Sequence, residues 1–277
     1  MANIGFGTLA SDGLGAGTTN VILFGLEGDD TLAGGAGSDL LAGDSGNDSL
    51  TGGAGDDMLH GGADNDTIDS GTGSDSVLGA AGDDVILGLE GADTVDGGAG
   101  NDVITGNDSI GDLVLGGLGN DTVFGGDLAA DTLSGGAGDD FLAAFSTMAA
   151  AATAGDSISG DAGNDLILGG AGADTIIGGL GDDTLGGGLG ADLFRFDLAL
   201  PGGHDLMLDF DPAADVLQLL NLAPGFDPLL ALTDSASGAV LTLGEGTTLT
   251  FIGLTAADFT AATFAVPGTA IASQDPL

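Results

Sequence analysis

The chain contains no cysteine, tryptophan, tyrosine or lysine, and among 277 residues its one cationic side chain besides two histidines is Arg195. Without cysteine there is no disulfide framework and no thiolate metal site. Twelve phenylalanines as the whole aromatic complement leave few large side chains for an ordinary core, so something other than aromatic burial must hold the chain together. Without basic residues neither a phosphate backbone nor an anionic lipid surface is attracted, which excludes nucleic acid and membrane as expected partners. Long apolar runs are missing too: the uncharged stretch from Ala143 to Gly155 is too short to span a bilayer. The opening MANIGFGTLASDGLGAGTTN has neither a basic region nor a continuous apolar one, so no cleaved secretory signal is expected. Catalytic inventory is thin, with His60 and His204 alone and no His-Glu-x-x-His or Gly-x-Ser-x-Gly motif, and both histidines read as surface residues. No enzyme is expected.

What is abundant is acid and glycine. Forty-three acidic residues set the formal charge at −42, and a bare compact chain of that charge repels itself. Divalent cations are drawn to such a surface, and carboxylates without thiols favour hard ions. Glycine, at 57 residues, is far above its usual share of roughly 7% and points either to low complexity or to a repeat. Periodicity decides between them.

Aspartates recur every nine residues at Asp30, Asp39, Asp48, Asp57, Asp66, Asp75, Asp84, Asp93 and Asp102. A one-residue slip leads to Asp112 and Asp121, another to Asp131 and Asp140, and a seven-residue insertion precedes Asp156, Asp165, Asp174, Asp183 and Asp192. Two residues after each of these eighteen stands an apolar side chain, Leu, Ile or Val seventeen times and Phe194 last. A disordered acidic linker has no reason to be patterned in that way. Before each Asp the usual run is Gly-Gly-x-Gly-x, so the unit is Gly-Gly-x-Gly-x-Asp-x-U-x with U apolar. It resembles the repeats-in-toxin (RTX) nonapeptide of hemolysin-type calcium-binding proteins, over roughly Gly25 to Phe196. The resemblance implies multiple Ca²⁺ as the cofactor and the eighteen aspartates as its ligands. Leu26, Asp44, Ala80 and Leu89 replace the second glycine, Asp64 the third, and the units around Asp112, Asp131 and Asp156 are irregular. Ion binding is expected to be weakest at those turns.

The physical reading agrees. Glycine lets the six residues before U's strand form a tight loop with carbonyls turned toward one point. The x-U-x that follows is a short strand with U inward. Two repeats make one coil, so the expected fold is all-β: a parallel β-roll, a right-handed β-helix-like solenoid, with a small antiparallel C-terminal cap. Loops on one side then stack about 4.8 Å apart, placing Asp30 beside Asp48 and Asp39 beside Asp57. Two carboxylates at that separation repel by roughly 1 kcal/mol at water's dielectric constant, and an ion between them reverses the sign. Ten pairs one coil apart are undisturbed and sixteen remain if every insertion is tolerated; ten Ca²⁺ would bring −42 to −22, sixteen to −10. Without calcium, single layers of Leu or Ile do not offset chain entropy, and disorder is expected.

The expected division is a lead-in at 1–24, a roll at 25–196 with an Ala-rich insertion near 143–155, and a C-terminal cap at 197–277. The insertion suits a surface helix or loop. After Phe196 the alternating apolar positions predict two or three antiparallel strands, and Ala239 to Leu243 with Thr247 to Ile252 a hairpin. Thr255 is placed to cap a helical turn. Phe194, Phe196, Asp205-Leu-Met-Leu-Asp209-Phe210 and Asp215-Val-Leu resemble the serralysin-like segment flanking the roll in relatives exported by type I secretion; Ala214 and Gln218 depart from it. That resemblance implies secretion from a Gram-negative bacterium, the type I apparatus as a partner, and an export signal in the last fifty or so residues. The expected role is a structural, cell-surface or matrix one; adhesion, ice binding or a carrier module of a secreted enzyme are the alternatives. Ice binding is disfavoured because no Thr ever precedes an in-phase Asp. Counting alternate repeats places Val85, Leu87, Val103, Phe124, Phe141, Leu166 and Leu168 on one outer face, a surface for self-association or a cell-surface partner.

Overall fold

In a computed structural model, residues 3–265 are described, apart from 9, 12, 16, 107–109, 127–128, 146–153, 201 and 245. As far as Val216–Leu220 the chain winds alternately through two sheets, of 13 and 14 strands in all, so that successive strands lie in opposite sheets and each strand pairs with the one two before it. Pairing is parallel with a register of 18, as in Thr31↔Ser49 and Leu40↔Met58. The expected parallel β-roll is therefore present, and it begins early, because Asn3–Phe6 and Gly13–Gly15 already pair in parallel with the first repeats.

The apolar residue of every repeat carries the core. All eighteen U side chains, from Leu32 to Phe194, are no more than 2% exposed. Burying each contributes about 1.5–3 kcal/mol. The strands are longer than the three residues expected, however. Thr67–Thr72 and its equivalents run through both glycine positions, with U and the residue two further on turned inward. The ladder explains this, for Gly53 pairs Gly71 as Leu50 pairs Ile68. Only the last three residues before the next strand are left for the turn, and positive φ falls on the second and third glycines. Except at Leu89, where Gly88 takes the positive φ instead, the backbone keeps that conformation where a side chain replaces one of them: Leu26, Asp44, Ala80, Asp64 and Asp161 all have φ between 71° and 88°. Each such residue costs about 1–2 kcal/mol.

Parallel pairing between coils continues on both sides of the insertions. Thr94 pairs with Leu113, Thr132 with Ser157 and Phe141 with Leu166. The corresponding aspartates lie 19 residues apart at the first of these and 25 residues apart at the other two. Of the Ala-rich insertion, 146–153 lies outside the described residues. Because alternation survives, the seven apolar residues from Val85 to Leu168 do share one outer face, that of the 14-stranded sheet. Phe124 and Phe141 meet there edge to face at 5.6 Å.

At the C-terminal end one expectation is corrected. His204–Met207 and Val216–Leu220 are not antiparallel; they pair in parallel with Thr184–Gly190 and Leu193–Asp197 and prolong the roll. The reason is that Met207 and Leu217 are U residues in disguise, each two places after an aspartate and fully buried. Among the described residues antiparallel pairing is confined to Leu232–Asp234, Gly238–Gly244 and Thr247–Ile252, the last two forming the expected hairpin. Phe194, Phe210, Phe251, Phe259 and Phe264 stack against one another and fill the wider core there. Thr255 donates its amide and hydroxyl to Asp258 at 2.8 and 2.9 Å, starting the expected turn at Ala256–Asp258.

Candidate metal centre

The roll has two edges. Turns from the 13-stranded to the 14-stranded sheet form the first edge, and turns leading back form the second. The sequence-predicted aspartates divide between them. Asp30, Asp48, Asp66, Asp84, Asp102, Asp121, Asp140, Asp165 and Asp183 file along the first edge; Asp39, Asp57, Asp75, Asp93, Asp112, Asp131, Asp156, Asp174 and Asp192 file along the second. All eighteen are buried, none more than 7% exposed.

One backbone problem produces both files. At the turn the aspartate's own N–H leaves the sheet ladder, and a buried amide without a partner is costly. Oδ1 of the aspartate one coil further on accepts it, as when Asp48 N–H donates to Asp66 at 2.8 Å. The longer steps at the insertions keep this bond, Asp93 to Asp112 at 2.9 Å and Asp140 to Asp165 at 2.8 Å. Two further aspartates continue the files beyond the repeats: Asp183 N–H donates to Asp205 and Asp192 N–H to Asp215, both at 3.0 Å. By sequence both belong only to the flanking segment. They carry the same Asp-x-apolar pattern, hidden by steps of 22 residues and 23 residues.

Oδ1 is thus structural, and Oδ2 is what remains for chemistry. Among the described residues, Oδ2 of Asp39, Asp48, Asp57, Asp66, Asp84, Asp102, Asp121, Asp140, Asp165, Asp174, Asp183 and Asp192 is enclosed with no hydrogen-bond partner. A buried charged oxygen in that condition is far too costly to be left so without a compensating cation or proton. The first glycine of the repeat makes room for one. A Cβ on Gly97 would lie 2.5 Å from both Asp102 Oδ2 and the carbonyl oxygen of Gly116, so two oxygens converge on space that only the missing side chain leaves open. The same cradle recurs over Gly25, Gly43, Gly61, Gly79, Gly116, Gly135 and Gly160 along the first edge, and over Gly34, Gly52 and Gly169 on the second.

Burial holds many of these carboxyls, Asp48, Asp102, Asp140, Asp174 and Asp183 among them, above the usual carboxylate range. Those of Asp66, Asp121, Asp156, Asp165 and Asp205 are pushed up to about 7, and those of Asp57, Asp84 and Asp192 to about 6. The amide bond from the preceding turn opposes the rise, and neighbouring aspartates of the file add to it. Among the described residues no three carboxylates or imidazoles converge on one point. An ion here must therefore draw most of its ligands from main-chain carbonyls, which Ca²⁺ accepts and Zn²⁺ does not. The donor set fits calcium: hard oxygens only, one buried carboxylate oxygen and a facing carbonyl at each cradle.

A second, exposed ladder has no counterpart in the sequence reading. On the first edge the residue before each file aspartate accepts the amide of its counterpart one coil on: Asn47 N–H to Asp29, Asn65 to Asn47, Asp83 to Asn65, and so on through Asn101, Asn120, Asp139 and Asn164 to Asp182 and His204. The variety at this position in the sequence sorts largely by edge, since the second edge offers Ser38, Ala92, Gly111, Ala130, Ala173 and Ala191 there, with Asp56, which accepts the Ser74 amide at 3.0 Å, as an exception. His204 also pairs Nδ1 with the Thr248 hydroxyl at 2.8 Å, and His60 lies outward beside Leu59, half-buried.

A family model for the RTX calcium-binding nonapeptide repeat matches residues 16–41, 42–77, 78–110, 107–142 and 154–194. That is more than half of the chain, and the protein belongs to the RTX calcium-binding repeat family, whose nonapeptides bind Ca²⁺. No curated protein matches it. Among solved structures it is similar to the extracellular lipase LipA of Serratia marcescens, with a TM-score of 0.40 and 19% identity over 82% of this chain and 44% of the lipase. It is also similar to the AlgE6R3 subunit of the Azotobacter vinelandii mannuronan C5-epimerase, with a TM-score of 0.26 and 28% identity over 54% of this chain and 84% of that subunit. This chain thus spans less than half of the lipase's length. Among the described residues no helix is long and apolar enough to cross a membrane.

Proposed function

We propose that the protein is a secreted, non-catalytic calcium-binding roll, folded by extracellular Ca²⁺ and serving a structural, cell-surface or matrix role. The observation that carries this reading is the convergence of a buried Oδ2 and a neighbouring carbonyl over the first glycine of the repeat. The proposed ligands are the Oδ2 atoms of the file aspartates with the carbonyls facing them. A bound ion supplies positive charge between stacked carboxylates; the chain supplies the rest, with Oδ1 fixing each carboxylate to the next turn and the inward apolar residue anchoring the strand behind it.

Gly97 gives the test. Its backbone is not in the left-handed region, so alanine imposes no dihedral strain there, but the methyl group occupies the cradle and crowds the Gly116 carbonyl at 2.5 Å, which must shift to take it. Gly97→Ala is expected to lose about one bound calcium per chain by elemental analysis and to raise the calcium midpoint for folding. Unchanged stoichiometry in a folded variant would show that the ion is held elsewhere.

The proposal includes the division into a lead-in at 1–24, a roll at 25–196 and a cap at 197–277, and export by a type I system through an uncleaved signal in the last fifty or so residues. Residues 266–277 lie outside the described residues. Low cytosolic calcium keeps the chain threadable, and calcium outside the cell traps it folded. Deleting Thr255 to Leu277 is expected to leave the protein in the cells of a type I-competent host; undiminished protein in the medium overturns this part.

A further inference from the structure

We propose that calcium loads the two edges unequally: an unbroken file of ions along the first edge, and on the second a file interrupted by five consecutive turns, Asp75 to Asp156, that hold none. The inference rests on the cradles being calcium sites. On the first edge eight successive turns carry a cradle, whereas among the described residues the second has cradles only before and after this block.

Each of the five turns lacks the cradle for its own reason. Before Asp75 the first glycine is replaced by Ser70, fully buried, whose hydroxyl donates to the Gly88 carbonyl at 3.0 Å and lies against the Asp75 carboxylate. In the regular turns that carbonyl position faces Oδ2 across the cradle; here a neutral hydroxyl takes up the carbonyl and fills the space beside the carboxylate. Before Asp93 the ladder slips between Ile86 and Leu89, and Leu89 turns inward to 1% exposure. Gly88 takes the positive φ instead, and a Cβ on it would meet Asp69 rather than Asp93. Before Asp112 the carboxylate has drawn back to 3.2 Å from the Cβ position of Gly106, and before Asp131 no carbonyl faces the Cβ position of Gly125 among its nearest atoms. Before Asp156 comes the long step over the Ala-rich insertion, and Gly155, adjacent to the aspartate, faces only Ala173 main chain.

The three insertions and two substitutions of the cradle motif therefore stack on one edge in consecutive coils, although in sequence they are scattered from Ser70 to Asp156. The first edge shows the complementary pattern. It accepts left-handed Leu26, Asp44, Ala80 and Asp161 at the second glycine, yet keeps glycine at the first position of every turn from Gly25 to Gly178. Backbone strain is tolerated there and a filled cradle is not.

Ser70 allows a gain-of-binding test. Ser70→Gly empties the cradle beside Asp75, while Ser70→Ala removes the hydroxyl but leaves a Cβ in it. Elemental analysis of the calcium-saturated, desalted protein is expected to give about eleven ions for the unaltered chain, one more for Ser70→Gly, and no more for Ser70→Ala. A Ser70→Gly count equal to the unaltered one, in protein that binds calcium and folds, overturns the proposal, as does an equal gain in both variants. Should Ser70→Gly fail to fold, anomalous scattering from calcium-loaded crystals of the unaltered chain decides: ions beside Asp75 and Asp93 overturn the proposal, and an unbroken file along the first edge with none there supports it. A chain that binds no calcium at all overturns the underlying reading instead.

Discussion

In calcium-free buffer at pH 8 the chain is expected to show a far-ultraviolet circular dichroism spectrum without the β signal, and to acquire it as calcium is raised into the millimolar range. The magnitude follows from the files. Eighteen amide-to-carboxylate steps set aspartates one strand spacing apart. At roughly 1 kcal/mol for each ionised pair the repulsion is on the order of 20 kcal/mol, before any account of lower dielectric. The net stability of a domain is about 5–15 kcal/mol. Repulsion therefore exceeds what single layers of Leu, Ile and Val leave over after chain entropy, and ions must reverse it for the roll to close. Weak extracellular calcium modules bind at about 10⁻⁴ to 10⁻³ M, which sets the range for the titration. Magnesium at the same concentration is expected to do much less, because its small octahedral shell is ill served by carbonyls of a fixed turn. A chain as β-rich in chelator as in calcium overturns the expectation.

Acid should do part of what calcium does. The carboxyls of Asp57, Asp66, Asp121 and Asp165 are pushed up to about 6 to 7 in the folded roll, against 3.8 for the unperturbed group, because burial disfavours their ionised form. Between about pH 4 and pH 7 the folded state thus binds more protons than the unfolded one, and unfolding free energy falls as pH rises through that window. Protonation stabilises the calcium-free roll at the low end and is lost at the high end, the opposite of an ordinary salt-bridged aspartate. Calcium-free protein at pH 5 is accordingly expected to be more β-rich than at pH 8. With calcium the sense reverses: each ion displaces protons below about pH 6, so the calcium midpoint rises as pH falls. Titrations followed by circular dichroism at pH 5, 6, 7 and 8 check both signs. A calcium-free spectrum that does not change with pH, or a midpoint that falls in acid, would mean that the carboxyls are not held as the structure places them.

The nine-residue period fixes far more than composition does. Asp at every ninth place with U two residues on determines which side chains go inward, the register between coils and the two files, since a strand has a period of two and a coil must bury one residue per strand. All eighteen U residues are buried and all eighteen aspartates are in file, as their spacing requires. The continuation of the roll past Phe196 was legible in principle from Asp205-Leu-Met207 and Asp215-Val-Leu217, but the longer steps to Asp205 and Asp215 broke the phase on which the pattern rests.

Three things were decided by the tertiary structure alone. Strands run on through the glycines because their pairing partners lie in the next coil, which no local pattern of three residues reveals. Oδ1 is committed to an amide one full coil away, leaving Oδ2 as the one carboxylate oxygen facing the cradle, and the division of labour within a single side chain has no trace in its identity. Above all, the two edges differ. Neighbours along an edge are two repeats apart in sequence, so the Asn and Asp ladder of one edge and the stacked irregular turns of the other read as scattered variation until winding brings every alternate repeat into contact.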